Sequence, residues 1–353
     1  MRIAIAGVVV VAVFLGLFIA MPAPVDPVAW APPEKPPMIG PLAANRRLQV
    51  AELLAKGRIN GPEDVAVDSR GRIYGGTQDG RIVRLSADGG LEMFADTGGR
   101  PLGMQFDAAG DLIVCDSYKG LLSIAADGHI VVLTTSADGV PFRFTDDLDI
   151  AADGRIYFTD ASDRFYQDEY LFDLLEARPH GRLLRYDPET RHTETLIKDL
   201  YFANGVALSS DQAFVLVNET YRYRITRYWL KGPKTGTRDV FIDNLPGFPD
   251  NISSDRQGTF WLALFTVRND VVDRLHPYPF LKRQLTKLPR ALWPKPEPYG
   301  FVVALDEAGR IIDSFQDPSG EHLREVTSVK RVGDDLYMGS LHNDRIGRLK
   351  LRR

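Results

Sequence analysis

Two patterns of apolar and polar residues divide this chain. From Ile3 to Met21 the residues are uncharged and almost wholly apolar, with only Arg2 before them. Beyond residue 60 the apolar runs shorten to a few residues each, cut by polar turns, and the pattern repeats at about 45 residues. Its phrase is a turn carrying Asp and Gly, a short strand, a polar loop and a second strand. Copies stand at Asp68-Ser69-Arg70-Gly71-Arg72-Ile73-Tyr74, Asp107-Ala108-Ala109-Gly110-Asp111-Leu112-Ile113 and Ala152-Asp153-Gly154-Arg155-Ile156-Tyr157. Three more follow at Ser210-Asp211-Gln212-Ala213-Phe214-Val215, Asp255-Arg256-Gln257-Gly258-Thr259-Phe260-Trp261 and Gly333-Asp334-Asp335-Leu336-Tyr337. Short strands with evenly spaced turns and a period of about 40–50 residues predict an all-β, six-bladed β-propeller. Radial closure explains how strands this short leave no long exposed edge.

The first apolar run is long enough for a helix of about 20 residues to cross a bilayer. The apolar part of a secretory signal is shorter, about 7–15 residues. Residues 1–22 are therefore expected to form an uncleaved N-terminal transmembrane helix, with a cleaved signal as the alternative because small residues surround Met21. Arg2 favours a cytoplasmic N-terminus, which sends everything after Met21 to the non-cytoplasmic side, periplasmic or lumenal. Residues 23–41 are Pro-rich and read as an extended spacer. Residues 42–353 form the propeller.

With 353 residues, 44% of them hydrophobic, the chain can bury a large core. The net charge of −4, without a basic face interleaved with aromatics, sets nucleic acid aside. Cys115, the single cysteine, excludes an internal disulfide framework and sits in the strand-like run Leu112-Ile113-Val114-Cys115.

Candidate chemistry emerges when the copies are superposed. The residues just before each innermost strand face the central axis: Pro62-Glu63-Asp64, Pro101-Leu102-Gly103, Thr145-Asp146-Asp147, Ala203-Asn204-Gly205, Pro249-Asp250-Asn251 and Val326-Thr327-Ser328. Glu63, Asp146, Asn204 and Asp250, with Asn251 adjacent, bring oxygens to one axis. Carboxylates so gathered repel unless a cation lies between them. An all-oxygen set without His or Cys suits Ca²⁺, with Mg²⁺ possible, rather than Zn²⁺. The loops after the second strands reach the same face and offer pocket walls at Ser117, Asp160, Glu219, Thr266-Arg268 and His342. Insertions interrupt blade three at 163–180 and blade five at 269–298. The second reads as a basic amphipathic helix flanked by prolines, fit to cover the pocket or to lie on the bilayer.

Gly99-Arg100-Pro101-Leu102-Gly103, Asp146-Asp147-Leu148, Asn204-Gly205-Val206 and Pro246-Gly247-Phe248-Pro249-Asp250-Asn251-Ile252 resemble the strictosidine-synthase-like propellers, over roughly residues 45 to 350. By kinship with paraoxonases and gluconolactonases, the resemblance implies a calcium-dependent hydrolase of aryl esters or lactones. The calcium ligands of paraoxonases fall on Glu63, Asp146, Asn204, Asp250 and Asn251, with Asp146 in place of the usual Asn. Their histidine falls on Leu102, and the catalytic Glu of strictosidine synthases falls near Thr327. The expected activity is therefore hydrolysis of a small ester or lactone, with Asp250 or Asp146 as proton acceptor. The alternatives are a ligand-binding propeller with a structural calcium and a condensing enzyme of the strictosidine synthase type.

Overall fold

The computed structural model describes residues 12–351. Six four-stranded antiparallel sheets are arranged as the blades of a propeller. Blade one runs Val65–Val67, Ile73–Gly76, Arg81–Leu85 and Leu91–Asp96, and blades two to five repeat that in-to-out order. Blade six is composite. Its inner strands Val326–Val332, Asp335–Ser340 and Ile346–Lys350 come from the end of the chain. Its outer strand, Glu52–Leu54, comes from the beginning, with Leu53 opposite Gly347. A two-stranded hairpin, Ser136–Ala137 with Val140–Pro141, is added ahead of blade three.

The repeated Asp-and-Gly phrase is the turn between the first and second strands. The Asp68 carboxylate accepts from the backbone of Arg70 and Arg72, and Asp107 does the same for Ala109 and Asp111. Asp255 accepts from Gln257 and Thr259. These turns need a left-handed residue, supplied by Gly110 at φ +92° and Gly258 at φ +96°. Gln212 takes that role in blade four at φ +55°.

The second strands are the most continuous in apolar character, as in Leu112–Asp116, Phe214–Glu219 and Thr259–Val267, because they are buried on both faces; the innermost strands are buried too but carry polar residues at their entries, and the core lies between neighbouring blades. Large side chains such as Phe158, Phe260, Phe301 and Tyr223 are fully enclosed.

Both insertions sit over one end of the ring. The first contains the helix Tyr170–Glu176, closed by Ala177 at φ +60°. The second is two short helices, Asp270–Leu275 and Pro279–Leu285, rather than one amphipathic helix. Pro277 and Pro279 break it, since neither can donate the helical hydrogen bond. Asn269 caps the first of these helices by accepting from the backbone of Val271 and Val272. The insertions meet where Phe172 packs on Trp293, ring centroids 5.8 Å apart.

The Pro-rich stretch is extended, yet it does not hang free. The Val28 amide donates to Glu176 O, Trp30 to His276 O, and Arg268 Nη2 to Pro33 O. Lys282, fully buried, donates its ammonium to Val28 O at 2.6 Å. Trp30 stacks against Tyr223 and His276. The strap thus laces the two insertions together. Part of the expected transmembrane segment, residues 1–11, lies outside the described residues. Residues 12–20 are helical, and among the described residues no helix is long and apolar enough to cross a membrane.

Candidate functional site

Five of the six innermost strands begin with a β-bulge or break in register, seen between Pro101 and Met104, Thr145 and Leu148, Ala203 and Val206, Pro249 and Ile252, and Val326 and Ser328. A bulge lets successive side chains leave the sheet plane. Asp146, Asn204 and Asp250 are thereby turned into the floor of a cavity of about 140 Å³ at the propeller axis, which Glu63 joins from just before the regular first strand Val65–Val67. Leu102 and Thr327 share this floor, and Phe144, Phe202, Phe248 and Phe265 form the walls. The insertions supply the roof through Tyr170, Leu171, Leu174, Val272 and Pro294–Pro296.

Close backbone approach makes this possible. A Cβ on Gly205 would stand 2.4 Å from Asp250 O and 2.7 Å from Asn218 Nδ2. Asn218 is completely buried and donates to Asp250 O, so the Asn218-Glu219-Thr220 glycosylation triplet is closed to modification in the folded chain.

The floor is crowded with oxygen and short of partners. Asn251 Nδ2 donates to Glu63 Oε1 at 3.1 Å, while Glu63 Oε2, Asn204 Oδ1 and Asn251 Oδ1 are buried with no partner. Buried oxygens without partners cost about 1–3 kcal/mol each. Burial, then the charges of Asp250, Asp146 and Asp64, hold Glu63 well above the usual carboxylate range. Asp146 is pushed up by burial and by Asp250, Asp147 and Asp160. Asp250 is pushed up by burial, against a hydrogen bond from Asn204, with Asp147 adding to the rise. Among the described residues no three His, Cys, Asp or Glu side chains alone are grouped to hold a metal ion. A cation here would therefore depend on the carboxamide oxygens as well, and the two unpartnered ones, on Asn204 and Asn251, point to that mixed set. Hard oxygen donors of this kind match Ca²⁺ or Mg²⁺.

One residue further along the strands the axis carries its own cation. Lys330 Nζ lies 2.5 Å from Asp64 Oδ2 and 2.5 Å from Met104 O. Burial works against its charge, yet Asp64 and Asp147 raise its affinity for the proton. Asp147, pushed up to about 8 by burial and by Asp64, also accepts from the backbone of Val206.

Several expected wall residues have another duty. Asp160 forms a buried pair with Arg182 and accepts from Phe144 N at 2.9 Å. Glu219 pairs with Arg224, takes the Thr226 hydroxyl, and accepts from Tyr201 N at 3.0 Å. Asp116, which was not among the expected walls, takes the same part in blade two and accepts from Arg100 N at 3.0 Å. All three stand at the end of a second strand and latch the loop that enters the same blade. They point into the blades and do not line the cavity. Ser117 is buried beside this latch in blade two, its amide donating to Arg100 O. His342 does not line the cavity either; it stands beside the lining residues Leu341 and Phe265, its ring 6.3 Å from that of Phe265, and is paired to Glu325 at 2.6 Å. Of the expected Thr266–Arg268 stretch only Thr266 lines the cavity, with Phe265 and Asn269 on either side, while Arg268 turns away to Asp273. The aromatic walls and the Tyr170 roof were missed, since apolar residues at strand entries are indistinguishable in sequence from core.

Two family models match, described as strictosidine synthase over residues 146–233 and strictosidine synthase-like, N-terminal, over residues 40–85. Strictosidine synthase-like 6 of Arabidopsis thaliana is 40% identical over 89% of this chain and 85% of its own length. The chain belongs to the strictosidine-synthase-like family. The adipocyte plasma membrane-associated protein of Rattus norvegicus is 36% identical over 96% of both chains. Among solved structures, a gluconolactonase from Xanthomonas campestris has the same fold, with a TM-score of 0.64 and 20% identity over 94% of this chain and 99% of that one. Regucalcin from Agrobacterium tumefaciens, described as a calcium-binding protein, matches with a TM-score of 0.58 and 16% identity over 88% and 95%.

Proposed function

We propose that this family member is a membrane-anchored hydrolase of esters or lactones that uses one divalent cation, Ca²⁺ or alternatively Mg²⁺, at the propeller axis. One observation carries the reading. Unpartnered oxygens of Glu63 and Asn204, with Asn251 bonded to Glu63, join two further buried carboxylates, Asp146 and Asp250, at the floor of a largely apolar cavity. When bound, the ion supplies Lewis acidity toward a substrate carbonyl and acidity to a nearby water. The chain's own residues do the rest. Phe144, Phe202, Phe248 and Phe265 bind the acyl or aryl body and exclude bulk water. Asp250 or Asp146 takes the proton of the attacking water, the carboxylates being the bases nearest the floor. The names of the gluconolactonase and regucalcin neighbours agree with this chemistry at the level of the fold.

Anchoring rests on the apolar run Ile3–Met21 and on the membrane association named for the rat relative. Arg2 puts the propeller on the non-cytoplasmic side. Lys287 Nζ donates to Phe18 O and Ile19 O, which ties the helical residues to the second insertion. That insertion exposes Tyr278, Phe280, Leu281 and Leu292 among Arg283, Lys287 and Arg290, a surface suited to anionic lipid.

The test is hydrolysis of aryl esters and lactones by the purified full chain, with and without chelator. Turnover that survives chelation, or persists in Asp250→Ala, refutes the mechanism. A ligand-binding propeller with a structural ion is the second reading, favoured by Leu102 and Thr327 at the floor where related enzymes carry catalytic groups. Calcium-dependent stabilisation without turnover selects it. Condensation of an amine with an aldehyde finds no support in blade six, where the Thr327 hydroxyl is spent on Glu63 O at 2.6 Å.

A further inference from the structure

We propose that His342, oriented by Glu325, is the general acid that protonates the leaving oxygen at the cavity mouth. This rests on the hydrolytic reading above and adds a catalytic residue to it. His342 Nδ1 donates to Glu325 Oε2 at 2.6 Å, which fixes the ring and leaves Nε2 free on a side chain 43% exposed.

The pair is held with unusual care for a rim. Glu325 has φ +48°, a left-handed conformation that costs a side-chain-bearing residue about 1–2 kcal/mol. Its amide donates to Tyr299 O. The preceding carbonyl, Arg324 O, accepts from Ser340 Oγ at 2.9 Å and from Asn343 Nδ2 at 3.0 Å. Ser340 Oγ accepts in turn from the amides of His342 and Asn343. One hydroxyl therefore ties the corner that carries Glu325 to the loop that carries His342. The network holds this conformation in place and so fixes where the Glu325 carboxylate sits.

The pair also lies beside the cavity. His342 follows Leu341, and Glu325 lies two residues before Thr327; both neighbours line the cavity. The His342 ring is 6.3 Å from that of Phe265, another lining residue. Tyr170, on the roof, has its hydroxyl pushed up by burial and next by the Glu325 charge, with Asp250 adding to the rise.

A substrate whose carbonyl rests at the carboxylate floor must send its leaving group toward the mouth. Water oxygen bonds to the acyl carbon and gives its proton to Asp250 or Asp146. The acyl–oxygen bond breaks, and the departing oxygen takes the proton from His342 Nε2. Solvent returns the floor proton to the imidazole, so the products are acid and alcohol with nothing consumed but water. An unactivated alcohol needs this proton to leave, whereas a nitrophenolate does not.

The experiment compares kcat/KM for an alkyl ester or aliphatic lactone with that for a nitrophenyl ester, in wild type, His342→Gln and Glu325→Gln. General acid assistance is typically worth about 100-fold or more. His342→Gln should lose about 100-fold on the alkyl substrate and less than about 3-fold on the nitrophenyl ester. Glu325→Gln should fall in between, with the same selectivity. Equal losses on both esters, or none, in a protein whose wild type turns them over would overturn the assignment while leaving the hydrolytic reading intact. A wild type that hydrolyses neither removes both.

Discussion

Replacing Lys330 with methionine probes the second layer of the axis without touching the proposed ion ligands. The ammonium sits 2.5 Å from Asp64, whose side chain has no exposure, and its charge is also felt by Asp147. Methionine keeps most of the volume, so the loss is mainly electrostatic. Removing one member of a buried pair costs about 3–5 kcal/mol, because the other charge is left without compensation. That is a large share of the 5–15 kcal/mol typical of a folded domain. The sign with pH follows from the direction of each shift. Lys330 gains proton affinity on folding, so its contribution is intact below the ordinary lysine pKa and fades only in strongly alkaline solution. In the variant, Asp147, which the Lys330 charge holds down in wild type, keeps its proton more tightly still, and that proton is harder to hold as pH rises. Equilibrium urea unfolding should therefore show a deficit that grows from pH 5 to pH 8 and reaches about 3 kcal/mol or more at the upper end. A deficit below about 1 kcal/mol, or one that is flat with pH, would mean the ammonium does not neutralise this layer.

Asp250→Ala should abolish stabilisation by calcium, which for wild type at 100 times the dissociation constant is worth about 2.7 kcal/mol; differential scanning fluorimetry with and without chelator reads it. Gly205→Ala forces a Cβ against Asp250 O and the Ile252 amide, so a loss of about 2 kcal/mol or more in chemical denaturation is expected, together with weaker calcium binding. Glu219→Gln removes the charge paired with Arg224 and should cost about 3 kcal/mol while leaving the calcium-induced shift in place. Asp173, pushed up to about 7 by burial despite the Ser162 hydroxyl and His180, binds its proton more tightly folded than unfolded. Its stabilising contribution is complete below about pH 4 and lost as pH rises through 7. Asp173→Asn should flatten that decline in urea unfolding between pH 5 and 8, with an upper bound near 4 kcal/mol.

The blades were legible because each one repeats the same turn chemistry. Asp68, Asp107 and Asp255 act on local backbone amides, and local chemistry survives in sequence. The gathering of Glu63, Asp146, Asn204, Asp250 and Asn251 was also legible, since equivalent positions in a ring must share a face. That argument failed for Asp160 and Glu219, where periodicity identifies a common position without saying which way the side chain turns. In both, the decisive partners are Arg182 and Arg224 on the next strand together with the amides of the entering loop, a three-way meeting no spacing encodes. The insertions were visible as interruptions, but their pairing through Phe172 and Trp293, and the strap that laces them, depend on contacts between segments far apart in the chain. Proline content predicted the extended form of residues 23–41 and was silent on what Trp30 would find to rest against.

Joining the outer edge of the last blade to a strand from the start of the chain makes the ring a loop with a clasp. Glu325, Thr327 and His342 all sit in the blade that the clasp completes. Trimming the strand ending at Lys350 would leave five blades whole and open the sixth. Wear at the carboxyl end would therefore reach this side of the cavity before it reached the other five blades.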